Sequence, residues 1–307
     1  MNSSVATRGI VRAEQSSLSG HHIGFLDGIR GGLSLWLFTY HVAVTAGFNT
    51  RFIPAGARAV DIFMLLSGLL MVYTFSVGKN NQHNFSGEAI ATFLVRRIFR
   101  IVPVYYLLLF IAFLFYTKYL EFESEVTAAF PPPWVADISN DPSIHSISVM
   151  NIIMHLTFLF GLDPHYASNM PIPDWSLTLE MQFYLIVPFL LILLRKYGLL
   201  VPVIALAIIN FLALRYIGLY LSPKIGGLWP QPSFLIFKID CFVVGMLLAL
   251  YFFDERFNRI EILCLLMLLI FFGQNIIFSL TAILCFALLG KGGVKSAFFS
   301  RSLESDS

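Results

Sequence analysis

The stretch IRGGLSLWLFTYHVAVTAG, residues 29–47, decides the fold. A membrane crossing takes about 20 consecutive apolar residues, and this run has that length and character while carrying two ionisable groups, Arg30 and His41. Their spacing turns an α-helix through about 1100°, three turns plus about 20°. Both side chains therefore point the same way, about 16 Å apart along the axis. With Arg30 at an interface, His41 is expected near mid-bilayer, where a titratable group is costly and by default functional. Arg30 alone also suits a topology anchor, and His41 a polar bond between helices. Their common face favours a working pair.

The rest of the chain fits the same solvent. Hydrophobic residues make up 57% and charged ones 12%, with a mean hydropathy of +0.78 over 307 residues, well beyond an ordinary soluble domain. Further spans are expected at 59–78, 101–120, 176–194, 199–221 and 233–253. Residues 149–162 are apolar but short, so they either cross or re-enter. Residues 260–290 suit one tilted span, or two short ones broken near Gly273, Gln274 and Asn275. Barrel strands would alternate polar and apolar residues over about ten positions, and these runs do not. The fold class is all-α, a polytopic transmembrane bundle of about 8–9 segments. Residues 1–28 read as a disordered cytoplasmic tail without a signal peptide, 29–290 as the membrane domain and 291–307 as a polar tail. The cysteines, Cys241, Cys264 and Cys285, lie in apolar spans without CxxC spacing, so neither disulfide nor zinc is expected.

Charge gives the orientation. Residues 79–100 hold Lys79, Arg96, Arg97 and Arg100 against Glu88, whereas 118–141 hold Glu121, Glu123, Glu125, Asp137 and Asp141 against Lys118. The positive-inside rule places the first loop and the N-terminus of this multi-pass membrane protein in the cytoplasm. If 149–162 crosses fully, Arg195 and Lys196 fall outside, against that rule. If it re-enters, they fall inside.

Arg97 and Arg100 are neighbours on one helix face, and two guanidiniums there suit a phosphate-rich ligand as well as a topology signal. In DWSLTLEMQFY (174–184), Ser176, Glu180 and Tyr184 form a polar stripe at i, i+4 and i+8. Glu180 as a first-turn acid is the plain reading, with Asp174 as the cap. A carboxylate two turns into a membrane helix nevertheless needs a partner or water. Asp61 is explicable by the helix dipole and Ser67-Gly68 by close helix packing, with substrate contact as the functional reading. His155 is open to either reading. The remaining histidines lie in tails or loops without metal spacing such as HExxH.

Five stretches carry a resemblance: LDGIRGGLSLWLFTYH (26–41), VDIFMLLSGLL (60–70), RRIFRIVPVYY (96–106), DWSLTLEMQFYLIVP (174–188) and KIDCFVVGMLLAL (238–250). In this order the chain resembles the acyltransferase-3 family, bacterial membrane enzymes that O-acetylate glycans. Where that family usually has Arg, this chain has Lys238, which keeps the charge but loses the fork. Family members commonly continue into a final helix opening Gly-Lys-x-Ser-Tyr. Here Phe298-Phe299-Ser300-Arg301 is followed by a polar tail, so that helix is expected to be absent and the chain to be truncated.

The resemblance implies acyl transfer from acyl-CoA, most simply acetyl-CoA, to a hydroxyl. The donor's phosphates would sit at Arg30, Arg97 and Arg100, with His41 as base and Glu180 orienting His41 or binding acceptor hydroxyls. Ser176, Tyr184, Asp61 and Ser67 complete the expected acceptor contacts. No resident cofactor is expected, and the partners are acyl-CoA, a glycan or lipid-linked sugar and the bilayer. A net charge of +2 gives nucleic acid no footing. The competing readings are a glycan flippase or exporter and an inactive remnant.

Overall fold

The computed structural model describes residues 24–46, 48, 53–76, 86–129, 148–167, 170, 172–217, 229, 231–254, 256–272 and 276–288. Among these, the regular elements are helices: α1 Gly24–Thr45, α2 Gly56–Ser76, α3 Gly87–Leu114, α4 Tyr116–Ala129, α5 Val149–Leu156, α6 Trp175–Tyr197, α7 Leu200–Leu212, α8 Ile239–Phe253, α9 Arg259–Phe272 and α10 Ile276–Leu288. Four helical stretches are long and apolar enough to cross a membrane: Gly56–Phe75, Gly87–Leu114, Trp175–Tyr197 and Leu200–Ile217. The fold is a helical membrane bundle, as its composition requires. Of the tails expected at 1–28 and 291–307, residues 24–28 belong to α1 and the rest lie outside the described residues.

Buried α2 and α8 form the axis of the bundle. They run parallel, joined at one end by Lys238 and Asp61 and at the other by the rings of Tyr73 and Phe253, 4.8 Å apart. Between those ends the backbones touch. A Cβ on Gly68 would stand 2.1 Å from the Phe242 carbonyl oxygen, and one on Gly245 would stand 1.9 Å from that of Leu65. Small residues at a membrane helix crossing permit this approach, and the gain is dispersion contact along both helices. Residues 241–250 are buried throughout, unlike the lipid-facing sides of α1 and α3.

The other helices take their direction from α2. Trp36 donates to the Pro54 carbonyl, and Gly56 lies against Tyr40 and Leu37, so α1 is antiparallel to α2. Arg97 reaches Thr74, and Phe93 packs on Phe75, so α3 is antiparallel as well. In α6, Phe183 stacks on Phe242 at 4.1 Å and Glu180 meets Ser67, which fixes it parallel to α2 and α8.

The short segment is settled by length. Helix α5 has 8 residues, about 12 Å, and is followed by Phe158 in the left-handed region (φ 59°) and a 3-10 turn at Leu159–Leu162. It does not cross. Helices α3 and α6 are therefore successive antiparallel crossings, and Arg195 and Lys196 fall at the same end as the start of α3, removing the parity conflict.

Irregular backbone there is satisfied by α6 side chains, as burial away from water requires. Thr178 donates to the Phe158 carbonyl, Gln182 bridges to Ser233 and accepts from the Leu235 amide, and Ser233 donates to Gly161. Gly161 is needed for this close approach, because a Cβ would lie 2.4 Å from the Thr178 side chain. In the turn after α8, burial pushes the Asp254 carboxyl up, but hydrogen bonds from Arg256 outweigh this and hold it below its ordinary range.

Two expected boundaries differ. The span expected at 101–120 is one helix from Gly87, capped by Ser86 accepting from the Ala89 amide, and it ends at Phe115. Arg96, Arg97 and Arg100 are therefore helical rather than loop residues. The span expected at 233–253 is a 3-10 turn, Leu235–Phe237, followed by the shorter α8. Residues 260–290, expected as one tilted span or two short ones, take the second form, as α9 and α10.

Candidate functional site

Helices α1, α2, α3 and α6 bring their polar residues together part-way along the bundle. The Ser67 hydroxyl donates to Glu180 Oε1 at 3.0 Å, and the Tyr184 hydroxyl donates to Oε2 at 2.7 Å. Ser67 and Tyr184 are buried, at 3% exposure each, and Glu180 is partly buried, so both carboxylate oxygens are held in place. The i, i+4 spacing of Glu180 and Tyr184 makes their bond within one helix. The bond from Ser67 ties that stripe to the bundle axis.

Beside this network stands Arg97. Its guanidinium donates to Thr74 Oγ1 at 2.9 Å and lies 5.6 Å above the Phe93 ring. Tyr184, Arg100, Arg30 and Glu180 are all within its electrostatic reach. Arg97 thus has two further guanidiniums in reach, beside a Glu180 carboxylate whose lone pairs already serve Ser67 and Tyr184. Like charges so close are unfavourable in a low-dielectric setting unless an anion joins them. Each fork matches a phosphate.

His41 is elsewhere. Helix α1 begins at Gly24, with Leu26 buried in the core and Asp27 in its first turn, where an acid favours the dipole. Arg30 consequently lies about 9 Å inside the helix and His41 only about 6 Å from its other end. Within α1, His41 therefore stands nearer the C-terminal end than the middle. His41 lies on an exposed face with Leu35, Phe38 and Val42, and its ring meets Tyr40 edge-on at 5.9 Å. The described geometry does not join it to Glu180.

The other expected contacts separate too. Asp61 accepts from Lys238 at 2.6 Å, six residues before Ser67 along α2. Ser176 is half-buried and makes no side-chain hydrogen bond to a described residue. Among the described residues, no group of three or more His, Cys, Asp or Glu gathers as for a metal.

A second polar cluster was not read from the sequence. Tyr105 donates to Asp174 Oδ2 at 3.0 Å, and His155 Nε2 lies 3.6 Å from the same oxygen. Asp174 stands at the N-cap of α6 without capping it, its carboxylate turned to α3 instead. Burial pushes the Asp174 carboxyl up to about 7 and the His155 imidazole down to about 4.

A profile of the acyltransferase-3 family, described as an acyltransferase domain, matches residues 23–296, a range that includes these arginines and the stripe on α6. The chain belongs to the acyltransferase-3 family. Similar curated proteins include YrhL of Bacillus subtilis (strain 168), whose name provisionally assigns it peptidoglycan O-acetyltransferase activity. It is 29% identical over 175 residues, 56% of this chain and 24% of that protein. Peptidoglycan O-acetyltransferase OatA of Listeria monocytogenes is 26% identical over 183 residues, 58% of this chain and 25% of that protein. The chain therefore matches about a quarter of the length of these relatives. No solved structure is significantly similar to it.

Proposed function

We propose that this chain is a membrane O-acyltransferase that moves an acyl group, most simply acetyl, from cytoplasmic acyl-CoA to a hydroxyl of a cell-envelope glycan. The observation that supports the reading is the electrostatic proximity of Arg30 and Arg100 to Arg97, beside the Glu180 carboxylate that Ser67 and Tyr184 already occupy, an arrangement that suits a polyanion. Coenzyme A supplies such an anion, and the relatives' names supply acetyl transfer to peptidoglycan as the precedent.

In this reading the CoA phosphates meet the arginines and the pantetheine arm extends along α1 toward His41. A neutral imidazole takes the acceptor's hydroxyl proton as the oxygen attacks the thioester carbonyl. The carbon–sulfur bond then breaks and the leaving thiolate takes up a proton. Glu180, held by Ser67 and Tyr184, fixes the neighbouring guanidiniums against their mutual repulsion. The bundle end carrying Arg195, Lys196, Arg256 and Arg259 faces the cytoplasm of the inner membrane, with the N-terminus.

Equilibrium binding of acetyl-CoA to the purified chain in detergent tests this. Affinity should fall with added salt, as for a phosphate receptor, and by tenfold or more in Arg97→Ala. Absence of binding by the wild-type chain would remove the donor assignment.

A further inference from the structure

We propose that Asn151, His155 and Asp174 form a buried seat for a hydroxyl group of a carbohydrate acceptor, near the end of the bundle remote from Arg195 and Lys196. This rests on the acyl-transfer reading above and adds a place for the second substrate. Asn151 and His155 are one turn apart on α5, hence on one face, and each has 0% exposure.

His155 Nδ1 pairs with the Asn151 carbonyl at 3.0 Å. Because a carbonyl only accepts, Nδ1 carries the proton and Nε2 the lone pair. That Nε2 has no hydrogen-bond partner, and neither has Asn151 Nδ2 or Oδ1. Buried polar atoms are seldom left so, and these comprise one donor group and two acceptors. A hydroxyl can accept from the amide nitrogen and donate to an acceptor. A carboxylate or phosphate dianion cannot donate, and an ammonium cannot accept.

The walls agree with such a guest. His155 stacks on Phe160 at 4.3 Å, and Phe158 packs against Tyr105 at 4.6 Å, so the seat is walled by aromatic rings. Phe158 is a bulky residue in the left-handed region, a conformation seen where surroundings impose it and often near functional sites. Its carbonyl is tied down by the Thr178 hydroxyl. Asp174 also begins α6, which carries Glu180 six residues on, about 9 Å along the axis, so one glycan can lie in the seat and extend toward the donor cleft.

Water offers the same hydrogen-bonding chemistry, and the test separates the two. The full chain in nanodiscs is assayed with acetyl-CoA and chitotetraose as the probe acceptor. Asn151→Leu removes both unpaired amide atoms at nearly constant volume. The KM for chitotetraose should rise tenfold or more while that for acetyl-CoA moves less than twofold, with no fall in the unfolding midpoint. Unchanged KM values with a raised midpoint would mean that the seat holds water alone and would overturn the assignment. Equal loss toward both substrates would also overturn it, as a structural role. Should the variant not fold, chitotetraose alone must raise the wild-type unfolding midpoint, and no shift sinks the proposal. A wild-type chain that neither binds acetyl-CoA nor forms ester defeats the acyl-transfer reading itself, and the seat with it.

Discussion

Gly245→Ala places a methyl group where there is no room. The new carbon would lie 1.9 Å from the Leu65 carbonyl oxygen and 2.8 Å from the Leu69 amide nitrogen, both backbone atoms that no rotamer change can move. Ordinary contact begins at 3.4 Å, so α8 must retreat from α2 by more than an ångström. A gap of 0.5–1 Å already forfeits about a quarter to a half of each contact's dispersion energy, and overpacking typically costs about 1–3 kcal/mol. With backbone as the obstacle at the centre of the bundle, the upper value, about 3 kcal/mol, is expected. For a chain of this size that is roughly a 5–10 °C fall in unfolding midpoint. Thermal unfolding in detergent micelles measures it. Gly68→Ala should cost a similar amount, and the double variant should cost clearly less than the sum, because one displacement makes room for both methyl groups. A shift below 1 °C in either single variant, or simple additivity, would refute the reasoning that α2 and α8 meet through these glycines.

His41→Ala should abolish acyl transfer while the chain still inserts and unfolds within a few degrees of wild type, since His41 is exposed and its described side-chain contact is the edge of the Tyr40 ring; retained activity would remove the proposed base. Arg97→Ala and Arg100→Ala should each raise the KM for acyl-CoA about tenfold or more with less effect on the acceptor, and cysteine accessibility should show unchanged orientation. Lys238→Met leaves the Asp61 carboxylate, at 12% side-chain exposure, without its cation, which should cost about 2–4 kcal/mol in thermal unfolding. Lys238→Arg should recover most of that loss, and if Met behaves like Arg the pair contributes nothing.

Helix and membrane character were legible because long apolar runs admit one physical solution in lipid. Boundaries were less so. The end of α3 nearest its arginines looked like a loop because Arg96, Arg97 and Arg100 are charged, yet Arg97 is accommodated by Thr74 and Phe93, partners that a single helix does not reveal. The grouping of Arg97 with Arg100 followed from helical spacing, whereas the proximity of Arg30 depended on how α1 and α3 flank α2. Spacing placed Arg30 and His41 on one face, but their positions along α1 depended on a helix start hidden in the polar run before residue 29. Tyr105, Asp174 and His155 come from α3, α6 and α5, and only the folded chain brings them together.

The central claim is that a donor enters from the arginine-bearing end and its acyl group is delivered to a glycan hydroxyl. Sealed vesicles containing the chain in known orientation, supplied with labelled acetyl-CoA on one face and chitotetraose on either, test it most directly. Donor at the face carrying Arg195, Lys196 and Arg256 should yield a labelled, base-labile ester on the glycan, with Arg97→Ala reducing the yield tenfold or more. Ester formed only with donor at the opposite face, or from neither face, would contradict the account.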